Sequence, residues 1–183
     1  MRRKLLLVLA VLSLLVGLSV AAAESASAAL GDLYGCTPYA TLASISSSGH
    51  RLSTQGTVCL RYMGGSTTNN WLDWEVVARF KCYRDGVLFG DGTGGCRWDG
   101  HLRLAESDSP TKDEYFAWPG SGSSSFYPDS GRIYGAYSSH IPDNSIQGCV
   151  RSGRVHFMGI TGIDYGTYNM ADMCTPWRKA SDY

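Results

Sequence analysis

From Trp71 to Tyr83 the chain alternates with a period of two. Leu72, Trp74, Val76, Ala78, Phe80 and Cys82 fall on one side, and Asp73, Glu75, Arg79 and Lys81 on the other, with Val77 breaking the rule. A helix would scatter both sets around its circumference, so this pattern predicts a half-buried antiparallel strand. Asp85-Gly86, a pair favoured in type I′ hairpin turns, follows it, and then Val87-Leu88-Phe89. After the glycine-rich stretch 90–95, residues 96–104 alternate again. Cys96, Trp98, Leu102 and Leu104 point one way, and Arg97, Asp99, His101 and Arg103 the other.

Weaker strands are read at residues 41–47, 57–63, 132–137 and 147–151. The last is expected to turn at Ser152-Gly153 into a strand over 154–163, with a further strand over 165–173. No segment after residue 29 has a convincing helical period, although 108–118, with Lys112, Asp113 and Glu114, is compatible with one short helical turn. The sum predicts an all-β fold in a single domain: an antiparallel β-sandwich, or a partly closed barrel, stabilised by disulfides and carrying one long aromatic loop.

The apolar pattern at the start of the chain is of another kind. Arg2, Arg3 and Lys4 precede an apolar run over 5–20, and small residues follow with an A-x-A site at Ala26-Ser27-Ala28. That layout predicts a signal peptide over residues 1–28, with cleavage after Ala28 and with Ala29 and Ala23 as alternatives. A retained membrane anchor is the competing reading. The run is short for the roughly 20 residues a span needs. The remainder, 29–183, is then a secreted, extracellular domain with no membrane span. Losing 1–28 removes Arg2, Arg3, Lys4 and Glu24, which leaves 13 basic and 15 acidic residues of the 16 and 16 in the whole chain. A balance this even lacks the basic footprint of a nucleic-acid binder. Arg outnumbers Lys, 12 to 4, which suggests a bacterial, GC-rich coding sequence.

Six cysteines, Cys36, Cys59, Cys82, Cys96, Cys149 and Cys174, all lie after residue 29. An even number in an oxidising compartment predicts three disulfides. Fifteen pairings exist; neighbour with neighbour (36–59, 82–96, 149–174) is the expectation, because Cys82 and Cys96 share the apolar parity of their strands.

Asp164-Tyr165-Gly166-Thr167-Tyr168 resembles the D-x-G-x-Y tyrosine corner of immunoglobulin domains, in which the tyrosine hydroxyl ties the last strands to backbone upstream. Lys81-Cys82-Tyr83-Arg84-Asp85-Gly86 is similar to an immunoglobulin hairpin. Met170 stands where that family commonly has its second cysteine, and the usual Cys…Trp…Cys spacing is absent. The resemblance covers two short pieces. It implies a sandwich, immunoglobulin-like arrangements included, and no functional residues.

Motifs for catalysis are sparse. Asp129-Ser130-Gly131 resembles a fragment of the trypsin-type nucleophile loop, but Pro128 and Arg132 replace the flanking glycines whose backbone an oxyanion hole needs. No C-x-x-C, H-x-H or H-E-x-x-H occurs, so no metal and no cofactor is implied. Asp91-Gly92 has too few carboxylates for a calcium loop. His101, with Asp99, Arg97 and Arg103, forms a polar strand face: a small binding or catalytic surface, or a solvated one with cross-strand ion pairs. His156 reads as the polar-face member of an alternating strand.

The richest stretch runs over 106–137. It carries Tyr115, Phe116, Trp118, Phe126, Tyr127, Tyr134 and Tyr137 among Ser and Gly. Disordered segments lack aromatics, and Tyr and Trp among Ser and Gly is the composition of binding loops. Tyr115, Phe116, Trp118, Phe126, Tyr127 and Tyr134 are therefore the candidate binding residues. The alternative is that these rings fold down and cap one end of the sandwich. Three functions compete. The first is a non-catalytic binding module that engages an extracellular protein partner as an adaptor subunit or inhibitor. The second is a carbohydrate or cell-wall binder using Trp71, Trp118 and Trp177, since Trp74 and Trp98 read as core. The third is a small hydrolase or toxin built on His101 or His140.

Overall fold

The computed structural model describes residues 30–182 except 67, 69, 90–93, 108, 121–122 and 160. The expected signal peptide and the Asp91-Gly92 loop lie outside the described residues. Twelve strands and no helix are present among those described: β1 (Leu33–Tyr34), β2 (Ala40–Ser47), β3 (His50–Ser66), β4 (Trp71–Arg84), β5 (Val87–Leu88), β6 (Gly95–Glu106), β7 (Ser109–Trp118), β8 (Ile133–His140), β9 (Ser145–Met158), β10 (Asp164–Asn169), β11 (Met173–Cys174) and β12 (Arg178–Lys179).

They form two antiparallel sheets packed face to face. In sheet A, β1 and β2 share one edge of β3, β4 lies along the other, and β5 and β8 share the far edge of β4. In sheet B the order is β7–β6–β9, with β10, β11 and β12 following one another along the outer edge of β9. The protein is thus a disulfide-stabilised β-sandwich. Consecutive strands β2, β3 and β4 stay in one sheet, unlike the immunoglobulin arrangement of A-B-E-D over C-F-G.

Alternation places the core. Leu72, Trp74, Val76, Ala78, Phe80 and Cys82 of β4 all point inward and are buried, opposite Cys96, Trp98, Leu102 and Leu104 of β6. The Trp98 indole, buried between the sheets, donates to Thr54 Oγ1 at 2.8 Å, and Thr54 Oγ1 donates to Lys81 O at 3.1 Å. Each group is satisfied across the core, as buried polar atoms require. Phe80 stacks on Trp98 and Phe116.

The disulfides are Cys36–Cys59, Cys82–Cys96 and Cys149–Cys174. Cys82–Cys96 joins the two sheets through the core. Cys149–Cys174 is a cross-strand pair of sheet B, and Cys36–Cys59 fastens the segment between β1 and β2 to β3. Asp85 and Gly86 both have positive φ, 52° and 83°, and make the expected I′ turn into β5.

Two expectations are corrected. Ser152-Gly153 is not a hairpin turn. β9 runs straight through it, and Ser152, at φ 49°, is a bulge opposite β6. One extra residue there lets Ile146 and Val150 before it, and Val155 and Phe157 after it, all face the core. The helical turn expected over 108–118 is not formed by the described residues either: Ser109–Trp118 is edge strand β7, paired along β6.

Candidate functional site

The residue pattern of β6 and β9 gives sheet B a polar outer face. Arg97, Asp99, His101 and Arg103 of β6 lie beside Arg151, Arg154 and His156 of β9. Four carboxylates meet these cations. Arg154 Nε donates to Asp99 at 2.8 Å, and Arg151 reaches Asp172 at 3.0 Å. His101 Nδ1 lies 2.6 Å from Asp113, and His156 Nε2 lies 2.7 Å from Asp164. The His156 contact and the Gly166 amide hold the Asp164 carboxyl below its ordinary range, while the Asp99 hydrogen bond pushes Arg154 up. Arg97 and Arg103 have no carboxylate partner among the described residues.

Between β7 and β8, residues 123–132 cover one end of this face. They are tacked to both sheets. Tyr127 exchanges backbone hydrogen bonds with Cys96 of β6, at 2.8 and 3.0 Å. Cys82 N donates to Pro128 O and Ser130 N donates to Phe80 O on β4. Gly95 makes this approach feasible. Its φ is 142°, and a Cβ there would meet Tyr127 backbone at 2.4 Å.

Four of the six candidate aromatics gather here. Phe126 packs edge-on against His156 with centroids 5.0 Å apart, under the Arg97 guanidinium. Trp118 and Tyr127 face each other at 6.5 Å, and both are exposed. Tyr115 stands against His101 at 5.6 Å. A cleft of ≈170 Å³ lies between Trp118, Arg97, Asp99, Arg154 and His156. Phe126 folds down as the capping alternative expects, whereas Trp118 and Tyr127 stay exposed. The other two candidates lie elsewhere. Phe116 is a core residue under Phe80, because it has the inward parity of β7. Tyr134 is on β8, on the outer face of sheet A, with Arg61 4.3 Å from its ring centre.

The Asp129-Ser130-Gly131 fragment is a structural clamp. Ser130 is buried; its Oγ accepts from Phe80 N at 2.9 Å and donates to Gly131 O at 2.8 Å. Asp129 accepts two hydrogen bonds from Arg79, at 2.9 and 2.5 Å, and one from Gly131 N. Burial works against the ionised Asp129, but these donors outweigh it and keep its carboxyl below the usual range. His140 is fully buried at the far end of the sandwich, 3.6 Å from Glu106, so no substrate reaches it. The tyrosine-corner bond is present: Tyr168 OH donates to Tyr165 O at 2.8 Å.

Sequence reasoning missed three members of the face, Arg151, Arg154 and Trp177. Arg151 was assigned to the end of a strand before a turn, and Trp177 was grouped only by residue type. In the fold they line a second cleft of ≈220 Å³ with Arg103. Among the described residues no group of three or more His, Cys, Asp or Glu is placed to hold a metal ion, and no helix is long and apolar enough to cross a membrane. No protein-family model, curated protein or solved structure matches this chain.

Proposed function

We propose that the protein is a secreted, non-catalytic binding module that engages another extracellular protein through the outer face of sheet B. The observation that carries this reading is a cleft walled by Trp118, Arg97 and Arg154 on a rigid, disulfide-braced sheet, with exposed Tyr127 against Trp118 and exposed Tyr115 against His101. Rigid rings give contact area at low entropic cost, and Arg, Tyr and Trp dominate the energetic centres of protein interfaces. Three disulfides fit an oxidising compartment, which agrees with export.

The test is capture. Immobilised protein beginning at residue 29 is exposed to the producing organism's culture medium, and bound proteins are identified by mass spectrometry. The Trp118→Ala/Tyr127→Ala variant is expected to lose the partner while keeping a cooperative thermal transition, with Tm lowered by about 5 °C at most, since both side chains are over a third exposed and outside the core. Retention of the partner by that variant would remove this face from consideration.

A second reading is favoured by one observation: Trp118 and Trp177 each wall a cleft on this same face, as sugar-stacking rings do. Retention on insoluble polysaccharide or peptidoglycan, lost in Trp118→Ala, would support it.

A further inference from the structure

We infer that the cleft formed by Arg103, Arg151 and Trp177 is a carboxylate-binding pocket that takes an acidic side chain or a C-terminus of the protein partner. The inference rests on the reading of sheet B's outer face as the partner-binding face and names the chemistry it recognises.

The register builds the pocket. Arg103 pairs with Cys149 across β6 and β9, so Arg151, two residues along β9, is its diagonal neighbour on the same face. Cys149–Cys174 forms part of the base and fixes the start of the segment that carries Trp177. Gln147 Nε2 donates to Thr175 O at 2.7 Å and Gly148 N to Thr175 Oγ1 at 3.1 Å, which holds that segment against β9. The Trp177 indole, more than a third exposed, is the side wall. The pocket is therefore preformed, which lowers the entropic cost of binding.

The donors point to an anion. Arg103 Nε and Arg151 Nε are both buried and have no hydrogen-bond partner among the described residues. Buried charged donors left this way are unfavourable until an acceptor arrives. Planar guanidinium forks match a carboxylate's two oxygens. Charge selects among anions. Asp172 already engages Arg151 at 3.0 Å, whereas Arg103 has no acidic partner. Asp113, opposite Arg103 across β6 and β7, is turned to His101 at 2.6 Å, so one guanidinium is left free, which suits a monoanionic carboxylate better than a phosphate dianion. Size selects as well: ≈220 Å³ lies below the roughly 300–1,000 Å³ of small-molecule sites and suits one side chain or chain end.

The experiment is an NMR titration of the ¹⁵N-labelled chain from residue 29, following the Arg Nε–H and Trp177 indole signals. The probes are acetyl-Gly-Glu-Gly-amide, its Gln counterpart, inorganic phosphate and glucuronate. Saturable shifts at Arg103, Arg151 and Trp177 are expected with the Glu peptide, with the Gln peptide about ten-fold weaker. Arg103→Gln should abolish the shift at Arg151 with the amide spectrum otherwise preserved. If that variant misfolds, Trp177→Ala is expected to weaken the same titration. No shift, or equal shifts from the Gln peptide, overturns the pocket. Tighter binding of phosphate overturns the carboxylate, and tighter binding of glucuronate transfers the pocket to saccharides and overturns the protein ligand. Because no partner is needed, failure here leaves partner capture through Trp118 and Tyr127 standing. Saturable titration with no capture has the opposite meaning.

Discussion

The two outer faces of the sandwich are built from the same kinds of residue and are finished differently. On sheet A the outward arginines Arg61 and Arg79 are matched by carboxylates, while Arg51 reaches only the Ser44 hydroxyl and Lys81 only a ring. Arg61 bonds Glu75 and covers Tyr134, Arg79 is held in a fork by Asp129, and Lys81 sits over the Tyr39 ring at 5.0 Å. Val77, the residue that broke the alternation of β4, is nearly fully buried on this face, opposite Cys59. On sheet B, Arg97 and Arg103 are left without carboxylates and each lines a cleft with an exposed tryptophan, Trp118 or Trp177, whereas the cleft of ≈330 Å³ on sheet A's outer face holds Arg79, whose charge Asp129 already matches. A face whose charges are matched internally has little to offer a partner. A face with surplus donors and exposed rings gains by covering them.

That comparison is most strongly tested by loosening the scaffold both faces share. Replacing Cys82 and Cys96 together by Ala should cost about 3 kcal/mol in denaturant unfolding, through a freer unfolded chain. Partner capture at temperatures where the variant stays folded should persist. The next effect is at Ser130. Ser130→Ala leaves the buried Phe80 amide without an acceptor and should cost about 2 kcal/mol, again with capture unchanged. A smaller difference separates the two faces directly. Arg79→Gln strips Asp129 of its fork and should cost about 1 kcal/mol at most, the pair being partly solvated, while Arg103→Gln should leave stability unaltered or raise it. Equal losses from both would mean that the faces are not differently finished.

A gentler variation comes with pH. Burial lowers the His140 pKa below the ordinary 6.5; Glu106, at 3.6 Å, opposes the shift without cancelling it. The unfolded chain therefore binds the proton more readily. The stabilising contribution of neutral His140 is complete above about pH 6.5 and is lost as pH falls through the unfolded pKa towards the folded one. His140→Leu should flatten that part of the stability profile, measured by denaturant midpoints across the range.

Where a strand is central, the sequence alone was enough to read it. β4 and β6 are paired on both sides and covered on one face, so their alternation is complete and even the parity of Cys82 and Cys96 is visible. Where a strand is an edge, the pattern fades. β7 carries Lys112, Glu114, Phe116 and Trp118 at its inward positions and only Phe116 is buried in the core, so Thr111-Lys112-Asp113-Glu114 resembles the start of a helix. The parity switch between Val150 and Val155 fits a bulge as well as a turn, and only pairing with β6 decides between them. The candidate face was half legible. Arg97, Asp99, His101 and Arg103 share one strand, but Arg151 and Arg154 join them by register and Trp177 by the course of the segment between β11 and β12, neither of which local pattern encodes. Tyr134 and Phe116 were drawn into the aromatic group by proximity in the chain, and the fold sends one to the opposite face and the other inside.

Hydroxyl-radical footprinting of the captured complex against the free protein tests the central contrast most directly, because the two faces carry rings of matched exposure. Tyr127 and Tyr134 are each 43% exposed, and Trp177 and Tyr39 are 39% and 41%. Protection of Tyr115, Trp118, Tyr127 and Trp177, with Tyr39 and Tyr134 oxidised as in the free protein, is the predicted result. Protection of Tyr39 and Tyr134 with the sheet B rings unchanged would contradict it.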